Sequence, residues 1–308
     1  MTLARALEAF EANSRIENGQ LRVDWRPIWD VCEFVNESGL LPEDVWAGLA
    51  EAWLTRLGST LQYARTFTRL PGFYFLAREK LDEGQPIVRI VRGMRRHVLA
   101  SLSGIAKDPG YALAVIVFDA WSEFDAYVEQ YTGEGTAGRA EGIFIHMDVA
   151  HLVVRGLTAI KPDVMFAHEL THAYLLHLPL PLWLDEGLAC STSHKAIDWK
   201  LDITEETGPR HHAHWNEMSA QAFWSGKAFH DDDPEVVGLA YELAEWFTDL
   251  LSVDAVAFRE FANLANHSDG GEAAAQEVYG RSLGELFNGF LGAGDFTPRP
   301  EAWSEPTE

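Results

Sequence analysis

Apolar residues recur at helical spacing twice in the first third of the chain, as Leu3, Leu7 and Phe10 and then as Val45, Leu49, Trp53 and Leu57. Leu41-Pro42-Glu43-Asp44 reads as a helix start with acids in the first turn. Residues 1 to about 106 are therefore expected to be mostly helical. The texture changes at Lys107-Asp108-Pro109-Gly110, a turn signal. Tyr111 to Asp119 is a β-rich run, and Trp121 to Tyr131 is helical. Thr132 to Gly138 is a Gly-rich loop. Gly142 to Met147 and His151 to Val154 read as the strands of a hairpin around Asp148. A long helix is expected from Pro162 to Leu178, with Pro162 in its first turn. Pro179 and Pro181 end it, and a second helix begins near Trp183. Residues 200 to 233 read as polar and irregular, and residues 234 to 291 as helical. The Pro-rich, acidic stretch from Thr297 to Glu308 is expected to be disordered.

These elements add up to an α+β fold. A helical N-terminal region (1–106) precedes a domain (107–296) with a small mixed sheet followed by helices, and then an acidic tail (297–308). At 308 residues the chain has room for two small domains or one large one. Its charge changes the picture more: 24 Lys plus Arg against 47 Asp plus Glu, a formal net of −23. Nucleic-acid and anionic-membrane binders need a cationic surface, so both classes are excluded. Arg89, Arg92, Arg95 and Arg96 form a basic stretch, read as a solvated helix face with acidic neighbours. Cys32 and Cys190 make no disulfide framework, which suits a reducing compartment. Glu8 and Glu11 interrupt any signal-peptide core, and no apolar run approaches the ~18 residues a membrane span needs. A cytoplasmic protein is expected.

Candidate chemistry centres on His168-Glu169-Leu170-Thr171-His172, an H-E-x-x-H pattern. Residues four apart share a helix face, so the two imidazoles can converge on one metal ion, and Glu169 can reach a water there. Phe166, Leu170, Ala173 and Tyr174 supply the apolar period of that helix. The second helix carries Asp185-Glu186-Gly187-Leu188-Ala189. A short proline turn makes the two helices neighbours, with Glu186 in the first turn of the second helix, where its dipole favours an anion. Gly187 lets that helix approach closely. Two His and one Glu leave a coordination position open, as catalytic zinc sites do.

His168-Glu169-Leu170-Thr171-His172 followed by Pro181-Leu182-Trp183-Leu184-Asp185-Glu186-Gly187-Leu188-Ala189 resembles the gluzincin metallopeptidases, the peptidase MA-like group with thermolysin-like and M1 aminopeptidase-like members. The resemblance implies a zincin-like catalytic domain. It implies one zinc per chain held by His168, His172 and Glu186, with Glu169 as general base. Similar proteins place a substrate-binding edge strand before the motif helix, and Gly142-Ile143-Phe144-Ile145-His146 stands where M1 enzymes carry G-A-M-E-N. Ile145 replaces the glutamate that grips a free N-terminus there, which favours an endopeptidase or an unusual specificity. An ordinary core strand is the alternative. M1-like enzymes also use a tyrosine in a later helix, and Tyr241, sharing a face with Ala244 and Thr248, is the candidate oxyanion donor. A core tyrosine is the competing role, and His211, His212, His214 and His230 are rival donors. Cys190 shares the face of Glu186, and His177 points away from the two motif histidines. Trp183 is expected to pack on the motif helix. Asp185 is a candidate partner for the first histidine.

The implied activity is zinc-dependent hydrolysis of a peptide or protein substrate, paired as an added strand with Gly142 to Met147 or with His151 to Val154. The alternatives are a peptidase-like module that binds a partner peptide without cutting it, and a zinc hydrolase of a non-peptide bond. Residues 230 to 308 hold 17 acids against 3 Arg and no Lys. They form a candidate acidic wall that would favour a basic substrate.

Overall fold

The computed structural model describes residues 3–33, 43–61, 63–132, 140–156, 161–201 and 207–303. Residues 133–138 of the expected Gly-rich loop, Leu41 and Pro42 of the expected helix start, and residues 304–308 of the expected tail lie outside them.

Leu3–Asn13 forms α1. Ser14–Glu17 (β1) and Gln20–Val23 (β2) then make a hairpin. Its turn is Asn18-Gly19, with φ of 52° and 80°, the left-handed pair that a two-residue hairpin loop demands. Arg26–Glu33 (α2) and Glu43–Gly58 (α3) follow. Thr66–Leu70 (β3) and Phe73–Ala77 (β4) form a second hairpin across Pro71-Gly72. Proline presets the first turn residue there, and Gly72 supplies φ 82° at the second. The rest of the first half is Pro86–Ser101 (α4), Leu113–Val117 (β5), Trp121–Thr132 (α5), Gly142–Ile145 (β6), His151–Val154 (β7) and Pro162–Leu175 (α6).

The described chain is thus mixed α and β, with a five-stranded sheet in the order β3-β4-β5-β7-β6. The two central pairings are parallel and the two outer ones antiparallel. The expectation of a helical region ending near residue 106 is corrected here, because β3 and β4 are strands of this same sheet. The chain divides into two compact units along other lines, Met1–Arg96 with Asp108–Ala173, and His97–Lys107 with Tyr174–Glu308.

In the first unit every residue of β4, β5 and β7 is buried, as expected of strands covered on both faces. Tyr74, Leu76, Ala114, Ile116 and Val153 share one core with Phe10 of α1, Trp25, Trp53 of α3 and Phe124 of α5. The periodic residues Val45, Leu49, Trp53 and Leu57 are all buried, as their spacing requires. On α4, Arg95 pairs with Asp108 and Arg92 with Glu83, the acidic neighbours expected of that basic stretch.

The second unit is helical: Leu182–Lys195 (α7), Gly208–His214 (α8), Ser219–Trp224 (α9), Pro234–Leu251 (α10), Ala255–Leu264 (α11), Glu272–Tyr279 (α12) and Leu283–Leu291 (α13). The stretch expected to be irregular between 200 and 233 holds α8, α9 and a 3₁₀ turn at Lys227–His230. Buried Trp215, Phe223, Trp224 and Phe229 explain why this polar-looking segment folds. Trp183 is fully buried, among Phe223, Trp224, Phe247 and Phe261 with centroids 5.3–6.3 Å away. Its indole N–H donates to the Gly270 carbonyl at 2.9 Å. Residues 297–303 are ordered, contrary to expectation. Gln221 donates to the Thr297 carbonyl at 2.9 Å and accepts from the Arg299 amide at 2.8 Å and the Trp303 indole at 3.1 Å.

Many of the clustered acids have local structural work. Asp233 and Asp254 cap α10 and α11, and Glu285 completes a capping box with Ser282 on α13. Asp269 accepts from the amides of Gly271 and Ala273, and Asp295 pairs with Arg299 at 2.6 Å. Neither Cys32 nor Cys190 is in a disulfide. No described helix is long and apolar enough to cross a membrane.

One buried group makes the first unit sensitive to acid. His151 on β7 is 1% exposed and meets Trp53 edge-on at 5.2 Å. Its Nδ1–H donates to the Val149 carbonyl at 2.6 Å and its Nε2 accepts from the Tyr127 hydroxyl at 2.9 Å. Burial lowers its pKa from 6.5 to about 4. The unfolded chain therefore binds a proton between pH 6.5 and 4 that the folded chain refuses. This contribution to stability is complete above the upper value and lost as pH falls to the lower one, about 3 kcal/mol in all. His151→Gln is expected to remove about one proton from the slope of unfolding free energy against pH across that window, measured by denaturant titration.

Candidate metal centre

The motif helix α6 begins at Pro162, and its apolar side, with Phe166, Leu170, Ala173 and Tyr174, is buried as expected. Thr171 is also buried, its hydroxyl donating to the Ala167 carbonyl at 2.8 Å. That leaves His168 and His172 on a half-buried face. Their Nε2 atoms stand 3.2 Å apart, with the rings edge to face at 4.9 Å. One neutral imidazole can donate to the other at that distance. The same separation suits two ligands of one zinc ion, because Zn–N bonds of ~2.05 Å at a tetrahedral angle put the nitrogens about 3.3 Å apart.

Glu186 completes the group. One ligand atom from each of His168, His172 and Glu186 lies within 4.8 Å of the others, and all three residues are partly exposed. Among the described residues this is the one cluster of histidine, cysteine and carboxylate side chains that could hold a metal ion. Two imidazoles and a carboxylate are a donor set that zinc accepts. One detail of the expectation changes. Helix α7 starts at Leu182, so Glu186 is its fifth residue and lies past the first turn, which holds Asp185.

Gly187 does what its neighbour requires. A Cβ there would stand 2.2 Å from Thr248 Oγ1 and 2.4 Å from the Ala244 carbonyl oxygen, so α7 touches the backbone of α10 at this point. A polar seam beside it holds the two helices together. His194 Nδ1 meets Glu245 at 2.7 Å, the Ser191 hydroxyl donates to Asp249 at 2.7 Å, and Lys195 donates to Asp249 at 3.1 Å. Spacing on α7 and the Glu245/Asp249 pair on α10 carried this signal in the sequence, but only the helix pairing gives it meaning.

Tyr241 lies on the α10 face of Ala244 and Thr248, the face that meets Gly187. Its half-buried ring stands edge-on to Phe229 at 5.2 Å. Of the rival histidines, His211 is fully engaged. It is buried, accepts from the Trp215 indole at 3.0 Å on Nδ1, and donates from Nε2 to Glu242 at 3.1 Å. Burial lowers its pKa, with Glu242 opposing. His212 and His230 are exposed, and His214 is half-buried against Trp215. His177 is exposed beyond the end of α6, and Cys190 is half-buried.

Glu169 is 9% exposed, and it accepts a hydrogen bond on Oε2 from the Phe144 amide at 2.7 Å. That contact ties the motif helix to β6, the edge strand of the sheet. Gly142 lies against the same helix: a Cβ there would stand 2.8 Å from Met165 Sδ, whereas Glu169 Cγ, at 3.5 Å, would be at ordinary contact distance. Nothing in the sequence signals a main-chain donor to a side chain 25 residues away. The alternative expectation that His151–Val154 adds a peptide strand is corrected. Strand β7 lies between β5 and β6, so both its edges are already paired.

No family model, curated protein or solved structure matches this chain.

The α7–α10 contact is expected to tolerate no side chain: Gly187→Ala should cost about 3 kcal/mol by overpacking, measured by denaturant unfolding.

Proposed function

We propose that this chain is a zinc-dependent peptidase of the gluzincin kind, with a zincin-like catalytic domain, acting as an endopeptidase on peptide or protein substrates. The observation that carries this reading is the grouping of His168, His172 and Glu186, with the adjacent Glu169 buried beside an edge strand. His168, His172 and Glu186 would hold one zinc ion, which when bound supplies a Lewis acid that activates water and polarises a carbonyl. Glu169 takes the proton from the attacking water and delivers it to the leaving amine, changing from base to acid between the two steps. Its Oε2 is fixed by the Phe144 amide, so the proton is carried on Oε1. Gly142, Ile143, Phe144 and Ile145 would bind the substrate along the edge of β6 that no described strand pairs. Ile145 is buried and apolar, and no carboxylate stands there to bind a free N-terminus, which supports cleavage within a chain. Tyr241 supplies the second oxyanion donor. A basic substrate and a cytoplasmic setting complete the proposal, carried by the net charge and by two cysteines that form no disulfide.

Glu169→Gln is expected to keep one zinc per chain by elemental analysis and to lose roughly 10²- to 10⁴-fold in peptide turnover. His172→Ala is expected to lose the metal itself. Full activity in Glu169→Gln, or turnover that survives exhaustive chelation, would count against the proposal.

A further inference from the structure

We infer that the main-chain N–H of Phe144 is a positioning group for Glu169, and that it selects which substrate carbonyl meets that carboxylate. The inference deepens the peptidase reading and rests on it.

The ladder between β6 and β7 fixes which groups face outward. The Arg155 amide donates to the Glu141 carbonyl at 3.0 Å, so these two residues form a hydrogen-bonded pair. Such pairs alternate along an antiparallel ladder. With Gly142 opposite Val154 and Phe144 opposite Leu152, the N–H and C=O groups of Gly142 and Phe144 point away from β7, to the edge that no described strand pairs. An antiparallel peptide laid along that edge exchanges two bonds with each of these residues, one to the N–H and one to the C=O.

At Phe144 only half of that exchange is open. Its N–H already ends on Glu169 Oε2 at 2.7 Å. Its C=O can still accept an N–H from the peptide residue opposite. The carbonyl of that same peptide residue finds its strand donor taken, and it lies beside the Glu169 carboxylate instead. The residue paired with Phe144 therefore presents the scissile carbonyl, while the residue paired with Gly142 is held by both bonds. The same N–H holds one carboxylate oxygen still and leaves the other to move the proton. The missing Cβ of Gly142 leaves room for the Met165 side chain of α6 beside this contact.

Replacing Phe144 with phenyllactic acid exchanges its amide for an ester, which deletes the N–H and weakens the Ile143 carbonyl as an acceptor from β7. In the zinc-loaded full chain this is expected to lower kcat roughly tenfold to a hundredfold, with KM and zinc content unchanged. In a Glu169→Ala background the ester is expected to cause no further loss. Single N-methylation of a cleaved peptide at the residue supplying the scissile carbonyl is expected to raise KM at least about tenfold, because that N–H bonds the Phe144 carbonyl. Amide exchange followed by NMR reads the contact without turnover. The Phe144 amide should be protected in the wild type, with or without zinc, and at least about tenfold faster in Glu169→Ala. An ester variant with wild-type kcat overturns the inference, as does a Phe144 amide indifferent to Glu169 or a cleaved peptide indifferent to that N-methyl group. A wild-type chain that binds zinc but cleaves no peptide removes the peptidase reading, and this inference falls with it.

Discussion

A buried carboxylate and an outward-facing strand amide satisfy each other at the edge of the five-stranded sheet. Glu169 is nine-tenths buried, and a charge in that position needs a donor. Phe144 lies on an edge strand, whose amide needs an acceptor. Their 2.7 Å hydrogen bond meets both needs at once and pins α6 to β6. Gly142 lies against the same helix, where a Cβ would crowd the Met165 side chain. Once α6 is placed this way, its apolar side fills the core, and His168 and His172 are left together on the half-buried side.

The second unit solves a related problem with different chemistry. Helix α7 must present Glu186 while packing its other side, and it does so by close backbone contact at Gly187. The seam of His194, Ser191 and Lys195 against Glu245 and Asp249 adds directional bonds beside that contact. These acids belong to the segment that makes the chain so negative. Others in it cap α10, α11 and α13 or bind nearby amides. Much of the charge imbalance is therefore built into helix ends and helix pairing, and its value to a cationic substrate is a separate matter.

Legibility in the sequence followed the range of the interactions involved. The helix carrying His168 and His172, the hairpin around Asp148, the strand after Tyr111 and the start of α7 after the prolines are all local, set by periodicity and turn chemistry. Asn18-Gly19 and Pro71-Gly72 were equally local signals for the two hairpins, and the helical periodicity around them obscured both. The helices between 208 and 224 and the order in 297–303 could not be read locally. Their stability comes from Trp183, Phe223, Trp224 and Phe287, which are distant in sequence and meet only in the folded unit. Gln221 then holds the chain at Thr297, Arg299 and Trp303.

By itself the sequence determined the spacing of His168 and His172, because a helix places residues four apart on one face whatever surrounds it. It also determined that Glu186 would follow on a second helix with a glycine beside it, because prolines and glycine act on their own backbone. Tertiary structure alone decided that β6 is an edge and β7 is not, and that β3 and β4 belong to the same sheet. It alone decided that His211 is engaged by Trp215 and Glu242, and that the Glu169 carboxylate answers to the Phe144 amide. Strand order and hydrogen-bond partnership depend on which distant segments win the competition to bury the same apolar surface, and no local pattern encodes that outcome.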